Sequence, residues 1–472
     1  MRPVQFARLL LPLCLAFALL GCQHFEPKPI SVEQNATDLE ARSLTNSELK
    51  GYLEKNLGRE IGTWPGLPWD FEMLTLAAFY FHPSLDIARA QRDVSKAAIR
   101  TAGGRPNPTI TLTPAYSFNP PDGTSPWLPG VTFDVPIETA GKRRHRLDLA
   151  RNLSEAATLK IATTAWAVRS RLRTSLLEFA DVRQREEVLR QQQALQQKIV
   201  ARLEQRFQAG VASSFEVTTA RIALSKAQVE LQDRQRRAGE ATARIGEAIG
   251  VPARAIDAIT IGFPSMPRTD TDLASSEMRT QALHTRPDIL AALAEYAASQ
   301  SALRLEVAKQ YPDVHLGTGY QWDQGEHKWS LSIGMELPVL NRNQGPIAEA
   351  EAKRVEAAAR FEALQAKALA EIDLALAGYH GTQANMRTVE SLLDMQQKQL
   401  AAVEEQFKAG AADNLEVLNA QSEVYAARSM QLDAHSRALA AVGQLEDAIQ
   451  RPFDALSLVE ENPRLLSDKR SQ

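Results

Sequence analysis

The residue of this chain best placed for covalent chemistry is Cys22, which follows Gly21 at the end of an apolar leader. Such an ending is typical of a bacterial lipoprotein signal, in which the cysteine thiol takes a diacylglyceryl group and becomes the first residue of the mature chain. The apolar stretch, residues 9–20, is shorter than the roughly 20 residues that span a bilayer. We therefore predict that 1–21 is a signal peptide and Cys22 the lipidation site; the alternative is a plain secretory signal with an incidental cysteine.

The residue after the cysteine indicates the destination of the chain. Gln23 stands where an inner-membrane retention signal would usually show aspartate, so we predict the outer membrane. The other cysteine, Cys14, lies in the leader that is removed, so the mature chain has no internal disulfide and depends on packing for its stability.

No catalytic or ligand-binding cluster is visible in the sequence. The eight histidines show no paired metal spacing such as HExxH, and Gly103 and Gly104 form an isolated pair rather than a phosphate loop. The formal net charge of −3 gives no sign of a nucleic-acid partner. We therefore predict no enzyme activity, no cofactor and no metal site.

Two glycine-containing segments are the strongest candidates for an interaction site. The sequence RFQAGVASSFEV at 206–217 returns 200 residues later as QFKAGAADNLEV at 406–417. At this spacing Ala220, Ala227, Ile249 and Pro252 match Ala420, Ala427, Ile449 and Pro452, and at a spacing of 204 Pro83, Pro108, Leu112 and Tyr116 match Pro287, Pro312, Leu316 and Tyr320. These matches predict an internal duplication, with copies at 70–252 and 276–452.

Long helices must position these segments. Both copies predict the same five elements, namely a first helix (70–102 and 275–310), two strands (109–118 and 129–138; 313–322 and 329–339), a very long helix (142–208 and 346–408) and a last helix (214–250 and 414–450). Val217, Ala220, Leu224, Ala227 and Leu231 step by three and four, as in a coiled coil. A helix of about 65 residues is near 100 Å long, which a globular domain does not need.

The predicted strands alternate apolar and polar residues, so each has two different faces. The acidic residues Asp134 and Glu336 fall on the polar face, and Trp127, Trp322 and Trp329 flank the loops 119–125 and 323–328. About ten residues per strand with one apolar face is the outer-membrane barrel pattern, and the tryptophans fit an aromatic girdle. The alternative is a soluble sheet packed on a helix.

Four strands per chain cannot close a membrane barrel, for which about eight are needed. Open sheet edges are not tolerated in lipid, so other copies must complete the sheet, and a homotrimer with twelve strands is the natural choice. The basic run from Lys142 to Arg146 begins a helix, where cations oppose the helix dipole. We predict that it meets anionic headgroups at the membrane surface, with a solvated helix start as the alternative.

The paired 206–217 and 406–417 segments, the strand-to-helix junctions ending in Pro136 and Pro338, and the lipoprotein start resemble the TolC-like outer membrane efflux protein family over nearly the whole mature chain. The resemblance implies a trimeric barrel on a helical periplasmic tunnel. It also implies an equatorial region built from 22–69, 253–275 and 453–472.

The resemblance further implies partners: a periplasmic adaptor protein, an inner-membrane proton-driven pump and outer-membrane lipid. The family's hairpin tips, which meet the adaptor and gate the tunnel, map onto Phe207, Gly210, Phe215, Val217, Phe407, Gly410, Leu415 and Val417. Asp413 and Glu416 are candidates for gating charges, while the two glycines also suit plain helix ends.

The predicted function is therefore the exit duct of a tripartite efflux system. The junctions VPIETAGKR and LPVLNRNQG are similar to the heavy-metal cation branch of the family, so we predict metal cations as cargo. Three alternatives stay open: export of drugs or other small molecules, a type I protein secretion duct, and a structural periplasmic coiled-coil lipoprotein.

Overall fold

The computed structural model describes residues 24–66, 68–262 and 275–452. The predicted signal peptide, the lipidation site Cys22, most of the predicted 253–275 linker and the predicted tail 453–472 lie outside the described residues. The chain divides into two units, one ending at Arg42 and one starting at Ser43. The first contains helix α1, Val32–Glu40, whose N-terminal N–H groups are capped by the Ser31 hydroxyl and none of whose residues is buried.

The second unit is mainly helical and carries one four-stranded sheet. Its helices are α2 (Ser47–Leu57), α3 (Phe71–Phe81), α4 (Pro83–Gly103), α5 (Lys142–Gln208), α6 (Ser214–Ile249), α7 (Ala253–Ile256), α8 (Ser275–Thr285), α9 (Pro287–Ala308), α10 (Gln344–Lys408) and α11 (Asn414–Ile449). Its strands are β1 (Thr109–Leu112), β2 (Ala115–Tyr116), β3 (Trp127–Leu128), β4 (Gly130–Ile137), β5 (Val314–Asp323) and β6 (Glu326–Met335). Strands β1 to β4 are followed by the long helices α5 and α6, and strands β5 and β6 are followed by the long helices α10 and α11.

The single first helix predicted for each copy is wrong, because each is broken in two. Pro83 starts α4 and Pro287 starts α9, and the preceding residues His82 and Arg286 have extended backbone with ψ of 123° and 122°. Proline disfavours a helical conformation in the residue before it, while its own fixed φ suits the first position of a new helix.

The long helices occupy the ranges expected from the sequence. Helix α5 has 67 residues and α10 has 65, so each is about 100 Å long. Each turns back into an antiparallel partner, α6 or α11. Four of the five predicted seam residues of α6 are buried, namely Val217, Ala220, Ala227 and Leu231, while Leu224 is half-buried. In α11 Leu418 is buried and Val417 is half-buried.

The four-stranded sheet combines strands from both halves of the chain. Its order is β1-β4-β5-β6, with every neighbouring pair antiparallel. Strands β5 and β6 meet at a two-residue turn in which Gln324 and Gly325 have φ of 47° and 103°. Two positive φ angles in a two-residue loop give the hairpin turn whose twist matches that of the strands.

The first predicted strand, 109–118, is interrupted, and the last ends earlier than predicted. Strand β1 stops at Leu112, and β2 pairs with β3 in a separate two-stranded sheet. Pro114 stands between them, and proline removes a backbone donor from a strand ladder. Strand β6 begins at Glu326 because the turn is tight, and ends before Pro338, so 336–339 are not in the strand.

The main core lies where α2 and α3 pack against the middle of α5 and the end of α6. Its fully enclosed side chains include Leu74, Trp69, Ile161, Leu172 and Ile245. Burying side chains of this size stabilises a fold by about 1.5–3 kcal/mol each. The core therefore holds the middle of α5 and the end of α6 together, far from the tip of the hairpin.

Candidate functional site

The first helical hairpin turns at Gly210, between α5 and α6. The glycine has φ of +75°, and a Cβ there would meet no atom within 4 Å. Its N–H donates to the Phe207 carbonyl at 3.0 Å, and the Val211 N–H donates to the Arg206 carbonyl at 2.9 Å. The left-handed backbone conformation, rather than crowding, therefore requires glycine at this helix end.

The second hairpin turns in the same way at Gly410, between α10 and α11. Gly410 also has φ of +75°, and its N–H donates to the Phe407 carbonyl at 3.0 Å. The Ala411 N–H donates to the Gln406 carbonyl at 2.8 Å. We call residues 206–217 the first tip and residues 406–417 the second tip.

Each tip ends in a reciprocal cap of the following helix. The Glu216 N–H donates to Ser213 Oγ at 3.2 Å, and the Ser213 N–H donates to Glu216 Oε2 at 2.7 Å. In the second tip, the Glu416 N–H donates to Asp413 Oδ1 and the Asp413 N–H donates to Glu416 Oε2, both at 2.9 Å. The two predicted gating charges, Asp413 and Glu416, are thus the capping box of α11.

Asp413 has a second partner, because Arg206 Nη1 of the first tip donates to Asp413 Oδ2 at 2.6 Å. The N–H donated by Glu416 and then the Arg206 guanidinium hold the pKa of the Asp413 carboxyl below its usual range. This ion pair joins the two tips of one chain. Sequence reasoning did not single out Arg206, because only packing of the two hairpins brings it to Asp413.

The predicted contact residues of the tips divide into exposed and buried ones. Phe207, Phe215 and Phe407 expose 49%, 77% and 43% of their surface. Val217, in contrast, is buried in a cluster with Leu203 and other side chains below the tips. Leu415 and Val417 are half-buried. The exposed aromatic rings can contact another protein, whereas the buried valine holds the hairpins together.

The sheet presents two chemically different faces. Register places polar and small residues together on one face, namely Thr109, Thr111, Thr132, Asp134, Pro136, His315, Gly317, Gly319, Gln321, Lys328, Ser330, Ser332 and Gly334. The other face, which we call the apolar face, carries Ile110, Leu112, Val131, Phe133, Val135, Ile137, Leu316, Trp329, Leu331, Ile333 and Met335. We call the face that carries the polar and small residues the polar face.

Much of the apolar face is exposed in a single chain. Leu331 and Ile333 expose 74% and 67% of their surface, and Trp329 exposes 78%. Tyr320 lies beside Trp329 with ring centroids 5.0 Å apart, and Tyr116 lies beside Trp127 at 5.1 Å. A contiguous exposed apolar surface of this kind marks contact with a membrane or another protein.

A family model described as outer membrane efflux protein matches residues 80–251 and 278–449, which together are most of the chain. The chain belongs to the outer membrane efflux protein family. The members of this family are outer membrane channels rather than enzymes, so the predicted class and an outer-membrane location are supported.

The chain is similar, at low sequence identity, to several efflux proteins that have been named for their substrates. The cobalt-zinc-cadmium resistance protein CzcC of Cupriavidus metallidurans is 24% identical over 73% of this chain and 81% of its own. The cation efflux system protein CusC of Escherichia coli is 23% identical over 90% of this chain and 95% of its own. The pyoverdine export outer membrane protein OpmQ of Pseudomonas aeruginosa is 24% identical over 67% of this chain and 68% of its own.

The fold of the family is also found in solved structures. The outer membrane protein VceC of Vibrio cholerae matches with a TM-score of 0.67 and 20% identity, over 81% of this chain and 97% of that one. At this identity the likeness concerns the fold alone.

The basic run that opens α5 in this efflux-family chain has partners within the chain. Lys142 Nζ lies 2.7 Å from Asp313 Oδ1, Arg143 Nε donates to the Gly103 carbonyl at 2.8 Å, and Arg146 pairs with Glu138. Gly103 is the last residue of α4, and a cation near the last carbonyls of a helix is favourable. The run therefore locks the sheet and α4 onto α5, which accounts for most of its charge without lipid.

Two further features are absent from the described residues. Across 24–66, 68–262 and 275–452 no cluster of three histidine, cysteine or acidic residues is arranged for a metal ion. Among the helices of the same ranges, none is both long enough and apolar enough to cross a bilayer.

Proposed function

We propose that this chain is the exit duct of a tripartite efflux system, passing substrate from an inner-membrane pump and a periplasmic adaptor to the exterior. The observation that carries the proposal is the two-faced sheet joined to two hairpins of about 100 Å. The apolar face suits lipid and the polar face suits a water-filled lumen. The hairpins suit a tunnel that reaches across the periplasm.

The edges of the sheet support an oligomer. Within the described residues β1 and β6 each pair on one side only, so their outer backbone groups need partners in lipid. We propose that further copies of the chain supply them, as a homotrimer in which four strands per chain make a twelve-stranded barrel. We also propose that the chain is an internal duplication and that Cys22 carries the lipid anchor.

The tips are the proposed meeting point with the adaptor. Phe207, Phe215 and Phe407 are exposed apolar side chains at the ends of rigid helices, and aromatic residues are favoured anchors at protein interfaces. The ion pair between Arg206 and Asp413 joins the two tips of one chain. Releasing it frees one hairpin end from the other, and this release is part of the proposed opening of the tunnel.

Heavy-metal cations are the proposed cargo. The support comes from the relatives named for cobalt, zinc and cadmium resistance and for cation efflux, together with the strand-to-helix junctions. Export of a small organic molecule is the second candidate, because the pyoverdine export protein matches at equal identity.

The membrane assignment is tested with two neighbouring residues on opposite faces of β6. Leu331 lies on the apolar face and Ser332 on the polar face. Leu331→Lys places a charge in lipid, at a cost of about 2–4 kcal/mol, and we expect it to reduce assembly in the outer membrane. Ser332→Lys faces water and serves as the control. Equal assembly of both variants contradicts the proposed orientation.

The cargo is tested separately by deleting the gene and growing the strain on graded zinc, cobalt and cadmium salts and on a panel of drugs. We expect a lower tolerance for at least one metal and restoration by the wild-type chain. Unchanged metal tolerance with lowered tolerance for an organic compound contradicts the cation assignment and favours the second candidate.

A further inference from the structure

Two histidines of the β5–β6 hairpin lie on opposite faces of the sheet. His315 belongs to the polar face, where its register partners are Pro136 on β4 and Gly334 on β6. His327 pairs with Trp322 on the apolar face, and its Nδ1 lies 2.7 Å from the Tyr320 hydroxyl. The two histidines therefore lie in chemically different surroundings, one among polar residues and the other among apolar residues.

His315 is oriented by a carboxylate. Its Nδ1 lies 2.8 Å from Asp134 Oδ2 on β4. An ionised carboxylate only accepts hydrogen bonds, so in the neutral imidazole Nδ1 carries the proton and Nε2 keeps its lone pair. Histidines that bind metals in proteins typically donate their other ring N–H to a carboxylate in this way.

The surroundings leave the ring open to solutes. His315 exposes 49% of its side chain, and neither Pro136 nor Gly334 offers a side chain that would bind Nε2. Asp313, two residues before His315 in the chain, adds negative charge to this part of the sheet, although it also pairs with Lys142. The site thus offers one nitrogen ligand in a setting that favours cations.

We propose that the Asp134–His315 pair on the polar face is a weak binding site for a transition-metal cation such as Zn²⁺. The inference rests on the proposed function, because that function places the polar face on the lumen and metal cations in it. Imidazole selects zinc, copper or nickel over magnesium and calcium, which prefer oxygen ligands. One protein nitrogen per chain, with water completing the shell, holds an ion loosely enough to release it along the duct.

Direct binding is measured on the full-length oligomer in detergent by calorimetric titration with Zn²⁺. We expect a site that His315→Asn abolishes and that Asp134→Ala weakens about tenfold or more, because the carboxylate orients the ring. His327→Phe is the matched control, since it removes a histidine of the same hairpin from the apolar face, and we expect it to bind like wild type. Unchanged Zn²⁺ binding by His315→Asn overturns the inference.

Conduction in planar bilayers shows whether the site lies in the duct. We expect Zn²⁺ to lower the current through wild-type channels, EDTA to restore it, and His315→Asn to be insensitive. A conducting wild-type channel without His315-dependent Zn²⁺ binding overturns this inference and leaves the proposed function standing. Conversely, His315-dependent binding by an oligomer that conducts no ions counts against the duct and supports the site.

Discussion

Arg206 Nη1 lies 2.6 Å from Asp413 Oδ2, although the two residues are 207 positions apart in the chain. The contact joins the end of the first long helix to the start of the last helix. Asp413 also caps that last helix through the Glu416 N–H. One carboxylate thus has two roles, one within its own tip and one between tips, and suitable substitutions separate them.

Asp413→Asn should release the two tips from each other while leaving α11 capped, because asparagine is an equally good N-cap but has no charge. We expect faster hydrogen exchange of the backbone amides in both tips, measured by mass spectrometry. Asp413→Ala should additionally fray the start of α11, since losing such a cap costs about 1 kcal/mol.

The matched control is Arg221→Gln, which breaks an exposed ion pair with Glu204 inside the first hairpin. We expect this variant to leave exchange in the second tip unchanged. Wild-type exchange rates in Asp413→Asn would show that the Arg206 contact does not restrain the tips.

The pH dependence of the tips follows from the lowered pKa of Asp413, caused first by the Glu416 N–H and then by Arg206. A carboxylate whose folded pKa is depressed stabilises the structure above its unfolded pKa, and this contribution is lost as pH falls through the folded value. Tip exchange, corrected for intrinsic rates, should therefore be constant from about pH 7 to 5 and rise only below about pH 4. In Asp413→Asn this rise should be reduced in the second tip, whereas the first tip keeps the Glu216 carboxyl, whose pKa is lowered by the Ser213 N–H. A transition near neutral pH in wild type would contradict this origin.

Gly443, six residues before the end of α11, is predicted to make room for a buried ion cluster. A Cβ on Gly443 would lie 2.5 Å from Arg173 Nε, and the same guanidinium donates to the Gly443 carbonyl at 2.7 Å and to Glu446 at 2.6 Å. Gly443→Ala should displace Arg173 and weaken its contacts with Glu446 and Asp447, while Glu446 keeps its pair with Arg169 at 3.0 Å. Because Arg169 still neutralises Glu446, we expect a lower melting temperature but a smaller loss than the about 3–5 kcal/mol of a buried charge left with no partner.

Gly239 in α6 provides the control, because a Cβ there would meet nothing within 4 Å. Gly239→Ala should be neutral or stabilising by up to about 1 kcal/mol, as alanine is the better helix former. Equal melting temperatures of the two alanine variants would mean that Arg173 adapts to the Gly443 substitution.

The long helices were predictable from the sequence because their signals are local. Proline-free runs bounded by Gly210 and Gly410 define α5 and α10, and the SxxE and DxxE patterns at Ser213 and Asp413 predict the reciprocal caps without any tertiary knowledge. The break at Pro83 was equally local and was missed only because the apolar pattern continues across it.

Long-range contacts were not predictable in the same way. The pair of His315 with Asp134 depends on the register of β4 against β5, which is fixed by packing rather than by either strand alone. The partners of the basic run depend on where α4 ends in space. Periodicity identifies the faces of an element but does not say which element covers each face.

The basic run at the start of α5 gives the last prediction, because two of its arginines differ in surroundings. Arg146 pairs with Glu138 and donates to the Gly104 carbonyl at 3.1 Å, whereas Arg144 exposes 84% of its side chain. If the run locks the sheet to the helices, Arg146→Gln should lower the melting temperature of the purified protein and Arg144→Gln should not. If headgroups were its main partners, Arg144→Gln should instead reduce association with vesicles containing anionic lipid, and stability would be the same in both variants. Measuring melting and vesicle association for both variants separates the two roles, because Arg146 is held by Glu138 and the end of α4, whereas Arg144 has a long 3.9 Å contact with Asp148 and a mostly exposed side chain.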